Sequence, residues 1–117
     1  MTIDVQNSSD GRISDPLPIE GEDHLATIVE QHDVVLVDFF ATWCGPCKMM
    51  EPVLAQLAQE TDAVVAKVDV DQHQTLAASF GVRGVPTLTL FAEGEQVEEY
   101  VGAYPADHLR SEIDKYV

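Results

Sequence analysis

The only two cysteines of this chain stand two residues apart in Trp43-Cys44-Gly45-Pro46-Cys47-Lys48, between an apolar run and an amphipathic one. Ahead of them, Val34-Val35-Leu36-Val37-Asp38-Phe39-Phe40 is β-branched and aromatic, long enough for a buried strand, with a single acid set into it. Behind them, Met50, Val53, Leu54, Leu57 and Ala58 recur at helical spacing up to Glu60. Strand, thiol turn and helix therefore follow one another without a break, and any fold must accommodate that layout.

The layout has a chemical use. A thiolate is the reactive form of cysteine, and the unpaired N–H groups and positive dipole end of a helix N-terminus stabilise it. Cys44 is expected at that N-terminus, at the surface, with Cys47 on the same side of the first turn. Pro46 has a fixed φ and no N–H, both harmless at a first helical position, and Gly45 leaves the approach to the sulfurs open. The pair can close a small disulfide and reopen it. A purely structural bridge is a poor alternative, because so short a cross-link removes little entropy from the unfolded chain. A zinc site would need two of His24, His32, His73 and His108, none of which stands at a paired spacing. Redox chemistry, with no metal, is the reading that remains.

The chain has 117 residues, enough for one domain with one core. No apolar run approaches the about 18 residues of a membrane span. Residues 1–15 are polar and acidic, without the basic and apolar regions of a signal peptide, and read as a flexible N-terminal extension to a domain at 16–117. Two cysteines and no disulfide framework point to a reducing cytoplasm. Lys and Arg number 6 against 21 Asp and Glu, a net charge of −15, which excludes nucleic acid and anionic membranes as partners. The acids are spread through the folded part (Asp62, Asp69, Asp71, Glu93, Glu95, Glu98, Glu99, Asp107, Glu112, Asp114). A basic docking partner would account for such a charge, but dispersed acids and few lysines fit a halophilic protein better, since salt screens self-repulsion.

Along the chain, Leu17 and Ile19 alternate with Pro16 and Pro18 in a short edge strand, and Glu22-Asp23 open a helix with Leu25, Ile28 and Val29 inward. After the thiol helix, which Pro52 should bend, come a strand (Val64, Ala66, Val68, Val70) with Lys67 on its other face and a helix through Leu76, Ala77 and Phe80 that Gly81 stops. Met49 and Met50 both read as packing residues. Val82 to Pro86 is a loop, Thr87 to Phe91 a strand, Ala92-Glu93-Gly94-Glu95 a hairpin turn, Gln96 to Val101 a strand, and Pro105 starts a last helix with Leu109, Ile113 and Tyr116 on one face. The order β-α-β-α-β-α-β-β-α gives an α/β fold, a central mixed β-sheet flanked by helices on both faces.

From Asp38 to Lys48 the sequence resembles the active-site signature of the thioredoxin family, and Val65-Ala66-Lys67-Val68-Asp69, Gly81 to Thr87 and Gly102-Ala103 extend the resemblance. It implies the thioredoxin fold and a thiol-disulfide oxidoreductase that reduces protein disulfides through a Cys-Gly-Pro-Cys dithiol/disulfide cycle. It implies a role for each match. Cys44 is the nucleophile and Cys47 the resolving thiol; Asp38 is the buried acid that helps deprotonate Cys47, and Lys67 tunes it. Pro86 is a cis-proline facing the disulfide, and Val85 offers backbone bonds to a substrate strand. Trp43, Gly45, Pro46, Gly84 and Gly102 belong to the docking surface. The resemblance further implies a cytoplasmic monomer that takes disulfide-containing protein substrates, draws electrons from thioredoxin reductase and needs no cofactor beyond the Cys44/Cys47 disulfide. Phe40 departs from the second tryptophan that many family members carry, keeping apolar bulk and losing an N–H donor.

Two rivals differ in use rather than fold. The same fold can act as an oxidase or isomerase, though Gly-Pro between the cysteines is the reducing choice; a non-catalytic binding module would have no need of the intact cysteine pair. From the charge of −15 the thermal midpoint is expected to rise between low and molar salt. A melting temperature that is flat or falls with salt in a calorimetric series would contradict the halophilic reading.

Overall fold

The computed structural model describes residues 13–117, so the expected extension at 1–15 lies outside the described residues apart from Ile13, Ser14 and Asp15. Nine elements follow in the expected order: β1 Leu17–Pro18, α1 Glu22–Gln31, β2 Val34–Phe40, α2 Gly45–Glu60, β3 Val64–Asp69, α3 Gln74–Ser79, β4 Thr87–Ala92, β5 Glu95–Val101 and α4 Ala106–Asp114. The five strands form one sheet in the order β1-β3-β2-β4-β5. β3 runs parallel to both β1 and β2, β4 antiparallel to β2, and β5 antiparallel to β4.

β2 is central because both of its faces are apolar. Val34 and Leu36 enter a core with Met50, Leu54 and Leu57 of α2 and Leu109 and Ile113 of α4. Val35, Val37 and Phe39 enter the opposite core with Leu25 and Ile28 of α1 and Leu76 and Ala77 of α3. A strand alternates its side chains between the two faces, so one seven-residue run organises two helical layers. β3 repeats the pattern: Val65 faces α2 and α4, while Val64, Ala66 and Val68 face α1 and α3.

Local signals set the ends of these elements. β1 has two residues, with Ile19 adding one further bond to the Lys67 carbonyl (2.8 Å), and Pro18 is tolerated there because β1 is an edge. Glu93 (φ 54) and Gly94 (φ 84) both adopt the left-handed backbone of a two-residue hairpin turn. Thr61 closes α2, its N–H and hydroxyl both donating to the Leu57 carbonyl (3.0 and 2.7 Å). α2 runs through Pro52 to Glu60 without interruption. Met50 is buried as expected, but Met49 is 71 % exposed. Successive helical residues point about 100° apart, and only Met50 lies on the stripe that continues through Leu54 and Leu57.

Leu57 is fully buried between α2, the sheet and α4. Leu57→Ala removes its apolar volume from that packed layer and is expected to cost about 3 kcal/mol, read as a lower urea midpoint with an unchanged m-value.

Candidate active site

The site forms where β2 ends. Asp38 and Phe40 lie two residues apart on the face of β2 that α2 covers, and the chain then turns back so that the Cys44 N–H donates to the Ala41 carbonyl (3.3 Å). Cys44 becomes the N-cap of α2, in extended backbone, and its Sγ accepts the N–H of Cys47 at 3.1 Å. A sulfur thus occupies the place where a serine or aspartate oxygen usually receives a helix's free donor. Gly45 and Pro46 fill the first two helical positions, where a missing N–H costs nothing.

Cys44 and Cys47 are joined in a disulfide, their Cα atoms 5.2 Å apart. Cys44 was expected at the surface; the residue is 4 % exposed and Cys47 3 %, because Ala41, Phe40, Val70 and Val85 pack around them. Solvent instead reaches Trp43, Gly45 and Pro46 on the rim. A Cβ added to Gly45 would meet no atom within 4 Å, so that side of the sulfurs is open space.

Two loops complete the rim. The Val85–Pro86 peptide is cis, and the Val85 carbonyl oxygen lies 3.7 Å from Cys44 Sγ. This segment is tied down on both sides: the Thr87 hydroxyl donates to the Gly84 carbonyl (2.7 Å) and the Gly102 N–H to the Pro86 carbonyl (2.9 Å). Gly102 has φ 101, a backbone that a side chain would strain. At the end of β3, Asp69 Oδ1 accepts the N–H groups of Asp71 (2.9 Å) and Gln72 (3.4 Å). That turn presents the Asp71 carboxylate to Trp43, whose indole N–H donates to it at 2.9 Å while the residue stays 69 % exposed. Trp43, the cysteine pair and the Gly84–Pro86 loop with Gly102 are thereby assembled at one end of the sheet.

Beneath them Asp38 is 1 % exposed, and neither carboxyl oxygen has a hydrogen-bond partner. Burial raises its pKa from the ordinary 3.8 to about 7, with the Lys67 charge pulling it down and Glu51 pushing it up. Lys67 is the cross-strand partner of Asp38 in the β2–β3 register. Its ammonium, however, sits over the Phe40 ring, 4.3 Å from the centroid. Glu51 lies one helical turn beyond Cys47, so the start of α2 overlies the Asp38 end of β2.

A sequence model of thioredoxin matches residues 16–115. The thioredoxin of Staphylococcus haemolyticus is 48 % identical over 89 residues, covering 74 % of this chain and 86 % of that protein. The structure of a mutant thioredoxin from Halobacterium salinarum superposes with a TM-score of 0.89 at 54 % identity, covering 91 % of this chain and 94 % of the other. The chain belongs to the thioredoxin family. It has the thioredoxin fold, and its chemistry is that family's: thiol-disulfide oxidoreduction at the Cys44/Cys47 pair, with no cofactor. Among the described residues no group of three or more His, Cys, Asp or Glu is placed to hold a metal ion, and no helix is long and apolar enough to cross a membrane.

Sequence reasoning overlooked Asp71 and Glu51. Asp71 had a signal, an Asp-x-Asp at a strand end, which forms a turn through the first acid and frees the second. Glu51 had the helical spacing to Cys47, but no sequence feature distinguishes it from the other surface acids.

The Asp38 carboxyl couples the site to stability. The native state keeps its proton up to about pH 7, whereas an ordinary carboxyl releases it near 3.8. Between those values the native state binds more protons than the unfolded chain, so stability falls as pH rises through the window, by on the order of 4 kcal/mol in all. Asp38→Asn removes this term. It is expected to gain on the unmutated protein steadily from about pH 4 to about pH 8 in urea titrations; a constant difference would refute the assignment.

Proposed function

We propose that this chain is a cytoplasmic thioredoxin that reduces protein disulfides, with Cys44 as nucleophile and Cys47 as resolving thiol. The observation carrying this reading is the position of Cys44 Sγ at the N-cap of α2, where it accepts the Cys47 N–H. That donor and the helix dipole favour a thiolate at Cys44 over one elsewhere in the chain.

In the reduced state the Cys44 thiolate attacks one sulfur of a target disulfide, and the other target sulfur leaves as a thiolate that takes a proton from solvent. Cys47 then gives its proton to the Asp38 carboxylate and attacks Cys44 Sγ, which breaks the mixed disulfide and releases the second target sulfur. Two electrons pass to the target and the Cys44–Cys47 disulfide remains, the state in which the two residues are found here. An acid with a pKa near 7 is matched to this transfer at neutral pH. Lys67 adjusts its proton affinity. Regeneration requires a dithiol or flavin-linked donor; thioredoxin reductase is the donor we assign, on family grounds.

The target is held as an extended segment against the Gly84–Pro86 loop, where Val85 has backbone groups to pair with it, and its flanks rest on Trp43, Gly45, Pro46 and Gly102. The fixed geometry of the loop and the half-buried or open rim around the sulfurs support this. We assign the redox domain to residues 16–117, with 1–15 outside it, in agreement with the family match over 16–115. The protein is taken to act as a monomer adapted to salt; the charge of −15 and the resemblance to the Halobacterium salinarum structure favour the latter.

The direction of electron flow is tested by equilibrating the Cys44/Cys47 couple in a dithiol redox buffer at high salt. A reductant should titrate below about −250 mV; a value above about −200 mV would make the protein an oxidant or isomerase despite Gly45-Pro46.

A further inference from the structure

The position of Lys67 is unexpected for a cation beside a buried acid. Asp38 and Lys67 face each other across β2 and β3 on the same side of the sheet, strands about 4.8 Å apart. A four-carbon stem can span that distance, yet both Asp38 oxygens are without a hydrogen-bond partner and the Lys67 ammonium rests on Phe40. Phe40 is half-buried and itself packs against the cysteine pair. One ring therefore touches both the disulfide cluster and the cation that bears on the acid.

We propose that Phe40 is a positioning residue for Asp38: by competing for the Lys67 ammonium through its ring face, it keeps that cation from pairing with the carboxylate and so preserves the acid's capacity to hold a proton. The argument is one of linkage. When Asp38 ionises, the carboxylate gains whatever attraction Lys67 offers, less what the ammonium loses on leaving the ring. A stronger ring contact thus means a more proton-retentive acid.

The other charges around Asp38 do not take over this function. Lys67 and Glu51 are the charged groups that act on it. From β3, Asp69 shares the face of Lys67, but its Oδ1 is engaged by the Asp71 and Gln72 N–H groups. From β4 the residue opposite Asp38 is Leu88, which does not titrate. From α2 come Glu51 and the Cys47 sulfur, and the latter carries no proton in the disulfide. Lys67 is the single cation in the set, so control over Lys67 is control over the acid.

The inference rests on the reading of Asp38 as the proton acceptor only for its effect on rate; its effect on the acid can be measured separately. The experiment is a carbon-13 NMR titration of the Asp38 carboxyl in the oxidised full chain, where no thiol titrates. Phe40→Leu is expected to lower the Asp38 pKa by about one unit, as a freed cation does to a neighbouring carboxyl. Phe40→Trp, which restores a ring face, should leave it in place, and in a Lys67→Met background Phe40→Leu should have no effect. Phe40→Met provides the same reading with a more adaptable filler if Phe40→Leu does not fold. An unchanged or raised pKa without the ring, or an equal shift with Lys67 absent, overturns the proposal. The pH profile of disulfide reduction is recorded alongside. If it follows the carboxyl, both readings stand; if the carboxyl shifts and the profile does not, the Phe40–Lys67 device stands and Asp38 is not the proton acceptor.

Discussion

The burial of β2 on both faces is the constraint from which the rest of the structure follows. A strand that presents Val34 and Leu36 to one side and Val35, Val37 and Phe39 to the other can be covered only by a helical layer on each side. Those layers are α2 with α4 and α1 with α3, and only four residues separate the end of β2 from the start of α2. The same burial sets the proton affinity of the site. Asp38 is embedded in the strand that the fold hides most completely, and its raised pKa comes first from that desolvation. Stability is thereby given up at one carboxyl above the pH at which an ordinary aspartate ionises.

The sulfur of Cys44 has a structural and a chemical role that cannot be separated. As N-cap it receives a backbone donor that would otherwise be unpaired. As one end of the redox pair it needs a donor that stabilises negative charge, and the same N–H supplies it. The site therefore needs no cation in contact with the sulfur. It also explains why the cysteines are buried: Phe40, Val70 and Val85 close over them, and the open face is left to Gly45 and Pro46, whose small or rigid side chains do not obstruct it.

The order of elements was legible because each carries a strong local signal. β2 and β3 are apolar runs, α2 has a clear 3.6-residue stripe, and Glu93-Gly94 announces its turn. The cysteine pair, the acid and the loop at Pro86 were legible because their spacing matches a known constellation. Less visible were features that depend on which neighbour prevails. The exposure of Met49 depends on a single residue's rotation about α2. The low exposure of Cys44 depends on Phe40, Val70 just beyond β3 and Val85 of the Pro86 loop packing against it, and the partner of Trp43 depends on a turn at the end of another strand. Lys67 shows the difficulty most clearly. Its register with Asp38 follows from aligning two strands, but whether the ammonium chooses the carboxyl or the ring is a small balance of attractions that no sequence pattern expresses.

The protein's surface charge and the contacts at its cysteine pair respond differently to salt. Of its 6 cations, Arg110 is engaged with Glu60 and Asp107, and Lys115 with Glu112, at the α4 surface far along the chain from the cysteines. The great excess of acids creates a negative field around the protein. Such a field acts over distance and through solvent, so salt at molar strength reduces its range to about 3 Å. Contacts shorter than or hidden from that screening persist: the Cys47 N–H on Cys44 Sγ, the desolvation of Asp38 and the ring beneath Lys67. Salt therefore acts on the long-range field of the acids and leaves in place the short and buried contacts around Cys44 and Cys47.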